Sequence, residues 1–268
     1  MCFSFLKGGK MRKVYRNSDT LSYWDKRWGD FDRDDDIFHN MEIYPIKYTN
    51  KVVDTNNVSL DAGCGLGRVV KHYQKKGYKI AGCDYSRVAV EKLQKSDPEL
   101  DVRFGDIRSM PYENEQFNNI FALGVFHSIE NLDDIKKGVK ESFRCLKPGG
   151  YLIAAVRADS LENYLIDFIT RVRGAKGTKF HKWCFKEKEI LSILTEESFV
   201  PKDCELVTNV SFLHKISLFR KSKIFDEKLT RSYGFKLNHL GDFVYKMLKK
   251  IAPKSFGTTI VVTAQKPI

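Results

Sequence analysis

Short apolar runs alternate with amphipathic segments through the middle of this chain. Apolar residues recur at three- and four-residue steps over 67–76, 86–96 and 131–145, a spacing that is typical of one face of an α-helix. Apolar runs that predict buried strands surround these helices, at 58–62, 79–84, 101–105, 118–124 and 149–156. This alternation predicts an α/β fold: a Rossmann-like, doubly wound, mostly parallel seven-stranded sheet with helices on both faces.

The flanking segments complete the predicted organisation. Helices are expected at 20–28, 38–55, 160–173 and 186–197, and strands at 204–212 and 257–267. The chain accordingly divides into an N-terminal helical cap (1–55), a central α/β core (56–212), a basic helical insertion before the last strand (213–256) and the final core strand (257–268).

The insertion is both amphipathic and basic. Its predicted apolar helix face consists of Leu237, Leu240, Phe243, Val244, Met247, Leu248 and Ile251. The formal net charge of the chain is +12, and residues 211–256 alone carry 11 basic and 3 acidic residues. Such a local excess favours an anionic partner: a phosphate-bearing molecule, a membrane surface or nucleic acid.

The six cysteines are scattered and include no C-x-x-C pair, and the histidines have no metal-ligand spacing. This pattern favours reduced thiols in the cytoplasm over a disulfide framework. It also predicts no metal site.

A glycine-rich turn follows the first strand of the predicted core. In "LDAGCGLGR", Gly63, Gly65 and Gly67 stand at alternate positions behind Asp61. Glycine lets the backbone turn tightly and lets a bulky ligand approach it. A dinucleotide fingerprint would have a third glycine where this chain has Arg68, and no Lys-Ser or Lys-Thr pair follows as in a P-loop. The D-x-G-x-G-x-G spacing therefore excludes both of these nucleotide sites.

Several segments, in order, resemble the motifs of the class I S-adenosylmethionine-dependent methyltransferases, specifically the type 11 methyltransferase domain. "LDAGCGLGR" is similar to the first motif, and "IAGCDYS" and "FGDIRSMPYENEQF" are similar to the next two acidic strand ends. "FNNIFALGVFHSIEN" resembles the fourth-strand motif, and "CLKPGGYLIAAV" the helix–strand junction after it. The resemblance covers residues 20–157 well. It implies S-adenosylmethionine as cofactor and S-adenosylhomocysteine as product.

The resemblance also implies which residues bind the donor. Asp84 would take the ribose hydroxyls, and Asp106 the adenine amino group, with Ile107 beside the ring. A helix that carries Tyr23 and Arg27 would close over the donor, with the arginine on its methionine carboxylate; ordinary packing of an aromatic-rich helix is the alternative. The implied donor site comprises Asp61, Gly63, Gly65, Gly67, Asp84, Tyr85, Asp106, Ile107, Leu123, Tyr23 and Arg27.

The chain departs from the family at two places near the expected reaction centre. Asn118 follows Phe117 where the family usually has aspartate, and Ser128 follows His127 where it often has a second histidine. Neither change touches an expected cofactor contact. His127 lies beyond the fourth strand, over the crevice where open α/β sheets bind ligands, and is the candidate general base. The alternative is a pocket-lining or structural histidine.

The sequence is less informative about the methyl acceptor. We expect a small-molecule, glycan or lipid-linked acceptor, covered by the insertion 213–256. Docking of the insertion on an anionic membrane surface and RNA binding are alternatives. A donor-binding protein that acts only as a non-catalytic partner is a further alternative. His181, in "KFHKWCF", is interpreted as a loop residue, with an acceptor contact as the alternative.

Overall fold

A computed structural model of the protein describes residues 11–30, 44–172, 177–208, 210–221 and 237–268. The predictions that concern other residues, in parts of the cap and of the insertion, lie outside the described residues. The strands are β1 (Arg12–Arg16), β2 (Val58–Ala62), β3 (Lys79–Asp84), β4 (Val102–Phe104), β5 (Phe117–Leu123), β6 (Leu146–Arg157), β7 (Lys179–Cys184), β8 (Val200–Thr208) and β9 (Gly257–Gln265).

The helices lie mainly between these strands, as predicted, but the helix expected at 38–55 ends at Thr49, since residues 50–52 form a turn. They are α1 (Thr20–Asp30), α2 (Tyr44–Thr49), α3 (Arg68–Gln74), α4 (Arg87–Ser96), α5 (Leu132–Cys145), α6 (Leu161–Val172), α7 (Glu187–Glu196) and α8 (His239–Ile251).

Seven strands form the central sheet in the order β4-β3-β2-β5-β6-β9-β8. Strands β2 to β6 are mutually parallel, whereas β9 runs antiparallel to both β6 and β8. The predicted Rossmann-like, mostly parallel seven-stranded sheet is confirmed. From β2 the chain adds β3 and β4 on one side of the sheet, and it then returns to add β5 on the other side of β2. The order of strand addition therefore reverses beside β2. Open sheets bind ligands at such a point.

The two faces of the sheet have separate cores. In β6, Leu152 and Ala154 are fully buried in the cluster that includes residues of α5 and α7. Ile153 and Ala155 are equally buried, but in the cluster that includes residues of α2 and α3. Since successive strand residues point to opposite faces, a run that is apolar at every position indicates a strand covered by helices on both sides.

A small two-stranded sheet was not predicted. Strand β1 pairs antiparallel with β7, from Arg12 opposite Cys184 to Arg16 opposite Lys179. The interpretation of His181 as a loop residue is therefore wrong, because it lies within β7 and is 1% exposed. The sequence "RKVYR" of β1 has too few apolar residues to read as a strand, and pairing with β7 decides its conformation.

Strand β8 begins four residues before its predicted start at 204. The early residues include Pro201, which has no N–H for a sheet ladder. Proline is tolerated here because β8 is the edge strand of the sheet. Pairing of Val200 with Gln265 of β9 fixes the register from the start of the strand.

Between β8 and β9, the described part of the chain contains two 3₁₀ turns and helix α8. Leu248 and Val244 of α8 pack on a small cluster around Leu213 and Phe256. No helix among the described residues is long and apolar enough to cross a membrane.

Candidate active site

A cavity of about 440 Å³ lies at the carboxyl ends of β2, β3 and β5. Its walls come from the glycine turn after β2, the ends of β3 and β5, the segments that follow β4 and β5, and helix α1. The lining residues are Asp19, Thr20, Leu21, Trp24, Trp28, Gly63, Cys64, Gly65, Asp84, Tyr85, Gly105, Asp106, Ile107, Arg108, Leu123, Gly124, Val125, Ser128, Ile129, Glu130, Asn131 and Asp134.

The glycine turn is held against the end of β3. The backbone N–H groups of Gly63 and Cys64 donate to the carbonyl of Cys83 at 2.7 and 3.0 Å. Gly65 has φ +53°, and a Cβ there would lie 2.7 Å from the Trp28 ring. Only glycine therefore allows the turn and the tryptophan to occupy their positions.

Asp84 connects the turn to helix α4. Its Oδ2 accepts a hydrogen bond from the Gly65 N–H at 2.8 Å, and its Oδ1 accepts one from the Ser86 N–H at 2.8 Å. Burial raises the pKa of Asp84, and these two hydrogen bonds oppose the rise. Each carboxylate oxygen has a second lone pair, which suits the carboxylate to accept from a pair of ligand hydroxyls.

Asp61 lies beside this carboxylate, with 3% of its surface exposed. Burial and the nearby Asp84 raise the pKa of Asp61 to about 7, and Arg68 opposes the rise. Asp61 and Gly67 are not among the residues that line the cavity. Their predicted roles in donor binding stay predictions.

The far wall of the cavity carries Asp106 and Ile107. The Arg108 guanidinium holds the pKa of Asp106 below its usual value against the effect of burial. Oδ1 of Asp106 accepts from the Arg108 N–H and Nε, and Oδ2 accepts from Nη2 at 2.6 Å. Arg108 also donates to Asp134 at 3.0 Å, so this wall is tied to the start of α5.

A buried polar atom in this region has no protein partner. The Tyr85 hydroxyl is buried and makes no hydrogen bond to any described residue. A buried hydroxyl without a partner is costly, and a polar ligand in the cavity would satisfy it. A bulky ligand with hydroxyl groups fits this site. The glycine turn leaves room for it, and the Asp84 carboxylate and the Tyr85 hydroxyl can form hydrogen bonds with it.

Helix α1 covers the cavity with a different face from the predicted one. Trp24 and Trp28 line the cavity and stack on each other with ring centroids 5.3 Å apart. Tyr23 and Arg27 are not among the lining residues, and the Tyr23 ring instead contacts the ring of His181. The spacing of two tryptophans in "YWDKRW" could have identified this face, since residues four apart share one side of a helix.

Two contacts with α4 hold α1 over the cavity. Lys92 Nζ donates to the carbonyls of Trp28 at 3.0 Å and Gly29 at 2.7 Å. The Ser86 hydroxyl donates to the carboxylate of Asp25. These hydrogen bonds fix the position of α1 over the cavity.

His127 lies in a 3₁₀ turn, Phe126–Ser128, directly after β5. Burial lowers the pKa of His127 well below 6.5, and Lys182 and Arg157 lower it further. Its Nδ1 is buried with no described hydrogen-bond partner. Its neighbour Ser128 lines the cavity, although His127 itself does not.

Residues 60–154 match the family described as "Methyltransferase domain". The chain is 26% identical over 137 residues to a demethylmenaquinone methyltransferase of Paenarthrobacter aurescens (strain TC1), over 48% of this chain and 53% of that protein. It is 29% identical over 109 residues to a tRNA (carboxymethyluridine(34)-5-O)-methyltransferase of Arabidopsis thaliana, over 41% of this chain and 26% of that protein. The chain thus spans about half or less of the length of these curated relatives.

The fold is similar to that of a solved methyltransferase from Methanosarcina mazei. The TM-score is 0.60 at 16% sequence identity, and the alignment covers 84% of this chain and 99% of that one. At this identity the likeness shows the fold alone. Taken together, the domain match over residues 60–154 and the strand order identify a methyltransferase domain with the class I fold within this chain, and S-adenosylmethionine is the cofactor of that class.

Proposed function

We propose that this protein transfers the methyl group of S-adenosylmethionine to a small-molecule, glycan or lipid-linked acceptor. The observation that carries the proposal is the cavity at the ends of β2, β3 and β5, where Asp84 holds the glycine turn by a hydrogen bond. The donor supplies an electrophilic methyl group on a sulfonium.

The residues of the cavity support a specific arrangement of the donor. Asp84 accepts from the ribose hydroxyls, and the Asp106 carboxylate accepts from the adenine amino group. Ile107, Leu123 and Tyr85 flank the nucleoside, and Gly63 and Gly65 allow it to approach the backbone. The predicted contact of Tyr23 and Arg27 with the methionine end of the donor stays a prediction, because neither residue lines the cavity. Arg27 donates to the Tyr23 hydroxyl at 3.4 Å.

In-line displacement at a sulfonium methyl depends mainly on alignment of the acceptor. Correct positioning alone contributes up to roughly 7–11 kcal/mol in well-oriented systems. A base is needed only for an acceptor that must lose a proton. His127 is our candidate for this role, because it lies in the turn that follows β5 and its neighbour Ser128 lines the cavity.

The experiment that tests the activity is a transfer assay with S-adenosylmethionine labelled on its methyl group. The acceptors are a pool of small phenols and carboxylic acids, a glycolipid and quinone extract, and bulk tRNA. Label in the first or second class supports the proposal. Label in tRNA alone, or product binding without transfer to any class, contradicts it.

A second proposal concerns the insertion: helix α8 docks on an anionic membrane surface. Four apolar residues along one side of α8 are exposed, by 39–72%: Leu240, Phe243, Met247 and Ile251. Lys246 and Lys250 follow the same edge of the helix at the helical spacing. An apolar stripe beside lysines is typical of helices that lie in a lipid interface. This arrangement supports a lipid-linked acceptor over a freely diffusing one.

A further inference from the structure

A cluster of basic side chains, which consists of Arg16, His181 and Lys182, packs against helix α1 next to the donor cavity. The Arg16 guanidinium of β1 lies 4.8 Å from the centroid of the Tyr23 ring, and that ring lies 4.8 Å from the ring of His181. Lys182 Nζ lies 5.7 Å from the centroid of Trp24, which lines the donor cavity. The indole ring of Trp24 therefore lies between Lys182 and the donor cavity.

The positive charge of this cluster is poorly neutralised. Neither Arg16 nor Lys182 forms a salt bridge with an acidic residue in the described part of the chain. The charged groups that act most strongly on Lys182 are Arg157 at the end of β6, Arg16 of β1, Arg27 of α1 and Asp167 of α6. The single acid among them, Asp167, is already bound by Arg12 and Arg157, each at 2.7 Å.

The surroundings are unfavourable for two members of the cluster, Lys182 and His181. Burial, followed by repulsion from Arg157 and Arg16, lowers the pKa of Lys182 to about 7. His181 is buried, and neither of its ring nitrogens has a hydrogen-bond partner among the described residues. Buried cations and polar groups without partners are unfavourable unless a ligand of opposite charge completes them.

A second cavity, of about 350 Å³, lies between β1 and α6, and Arg16 of the cluster is one of its lining residues. Its described lining has four basic residues, Arg12, Lys13, Arg16 and Arg171, and one acidic residue, Asp167. It also contains Tyr15, Tyr164 and Phe168, whose exposed fractions are 46%, 48% and 57%. A molecule with an apolar body and an anionic group matches this lining.

We propose that the methyl acceptor carries a carboxylate or phosphate group, which binds between Arg16 and Lys182 beside the donor. This inference rests on the proposed methyltransferase function and names the chemical class of its acceptor. A bound anion would neutralise the cluster and accept hydrogen bonds from both cations, and so fix the acceptor with its reactive atom toward the donor cavity.

The test is a titration of the full-length chain, saturated with S-adenosylhomocysteine, with inorganic phosphate and separately with acetate at constant ionic strength. The chain has three tryptophans, and the ring of Trp24 lies 5.7 Å from Lys182 Nζ; Trp28 lines the donor cavity, and Trp183 follows Lys182 in β7. Their fluorescence reports occupancy. We expect a saturable change with at least one of the two anions, and the anion that binds identifies the group.

The variants are Lys182→Met and, should that chain not fold by circular dichroism, Arg16→Gln. We expect either variant to weaken anion binding by at least about tenfold, the typical effect of losing a charge-assisted hydrogen bond. The matched control is Lys188→Met, on the exposed side of α7. Affinity for S-adenosylhomocysteine should stay within about twofold in all variants, because the cluster serves the acceptor.

Three results would overturn the inference. One is the lack of a saturable response of the wild type to both anions. Another is unchanged anion affinity in folded Lys182→Met. The third is a tenfold loss of S-adenosylhomocysteine affinity in that variant, which would assign the cluster to the donor. If the wild type binds no S-adenosylhomocysteine at all, the proposed function fails, and that outcome is distinct from the other three.

Discussion

The carboxylate of Asp84 accepts a hydrogen bond of 2.8 Å from the backbone N–H of Gly65. Asp84 is the last residue of β3, and its side chain also fixes the glycine turn that follows β2. In the proposed complex it also accepts from the ribose. Changes at the turn should therefore alter both stability and donor affinity, whereas changes at other strained glycines should alter stability alone.

The first prediction compares two glycines in the left-handed region. Gly77 has φ +81° with nothing near its Cβ position, whereas Gly65 has φ +53° and faces Trp28. We expect Gly77→Ala to lower the free energy of unfolding by about 1–2 kcal/mol, from backbone conformation alone. Gly65→Ala should lower it by about 1–3 kcal/mol more, because the new Cβ overlaps the indole. Chemical denaturation measures both.

Only Gly65→Ala should also reduce S-adenosylhomocysteine affinity, since only that turn lines the donor cavity. Equal effects of the two substitutions on stability and on binding would contradict the assigned role of Trp28 as the close neighbour of the turn.

The second prediction concerns the pH dependence of stability. An unfolded aspartate titrates near 3.9, and burial raises the pKa of Asp61 to about 7 in the folded chain. The folded state therefore holds this proton more tightly, so the contribution of Asp61 to stability is fully present below pH 4 and is lost as the pH rises through 7. Each unit of pKa difference corresponds to about 1.4 kcal/mol.

Asp61→Asn has no such titration. We expect it to be more stable than the wild type at pH 8, with the difference shrinking toward pH 4, in urea unfolding without donor. The comparison with wild type cancels the opposite effect of buried histidines such as His181, whose pKa values are lowered. Exposed Asp133→Asn is the control for the loss of a surface carboxylate. A variant less stable than the wild type at pH 8 would refute the prediction.

Helix α1 illustrates how far the sequence determines the site. The strand ends that carry Asp84 and Asp106 were predicted because parallel strands and their turns are encoded locally, by apolar runs and glycines. The face of α1 that covers the cavity depends on how the helix docks. Lys92 and Ser86 on or before α4 set that docking, and their contacts with α1 connect residues about 60 positions apart.

The β1–β7 sheet was missed for a related reason. Its strands are charged and short, and they pair across about 165 residues of sequence. Nothing local to "RKVYR" predicts this pairing. This pairing matters for the proposed anion site, because β1 carries Arg16 and β7 carries Lys182.

The third prediction concerns His127. If it is the general base, His127→Gln should lower turnover by about 10²–10⁴-fold with the acceptor identified in the transfer assay, while S-adenosylhomocysteine affinity is unchanged. His72→Gln, on α3, is the control. Near-normal turnover of His127→Gln would eliminate the role of base and leave alignment of the acceptor as the source of the rate.

The fourth prediction tests the membrane proposal by sedimentation with vesicles. Phe243 is 66% exposed, and its insertion into lipid would contribute roughly 1.5–3 kcal/mol. We expect Phe243→Ser to bind vesicles of 3:1 phosphatidylcholine and phosphatidylglycerol at least about tenfold more weakly than the wild type. Leu132→Ser, at a position 40% exposed on α5, is the control and should bind like the wild type. Wild-type protein that stays in the supernatant would contradict docking.

The most direct test of the account is calorimetric titration of the full-length chain with S-adenosylhomocysteine. We predict saturable binding of one equivalent by the wild type and at least about tenfold weaker binding by Asp84→Asn, because a charge-assisted hydrogen bond is lost. Asp133→Asn should bind within about twofold of the wild type, and circular dichroism should show that both variants are folded. No measurable binding by the wild type, or equal binding by folded Asp84→Asn, would contradict the account.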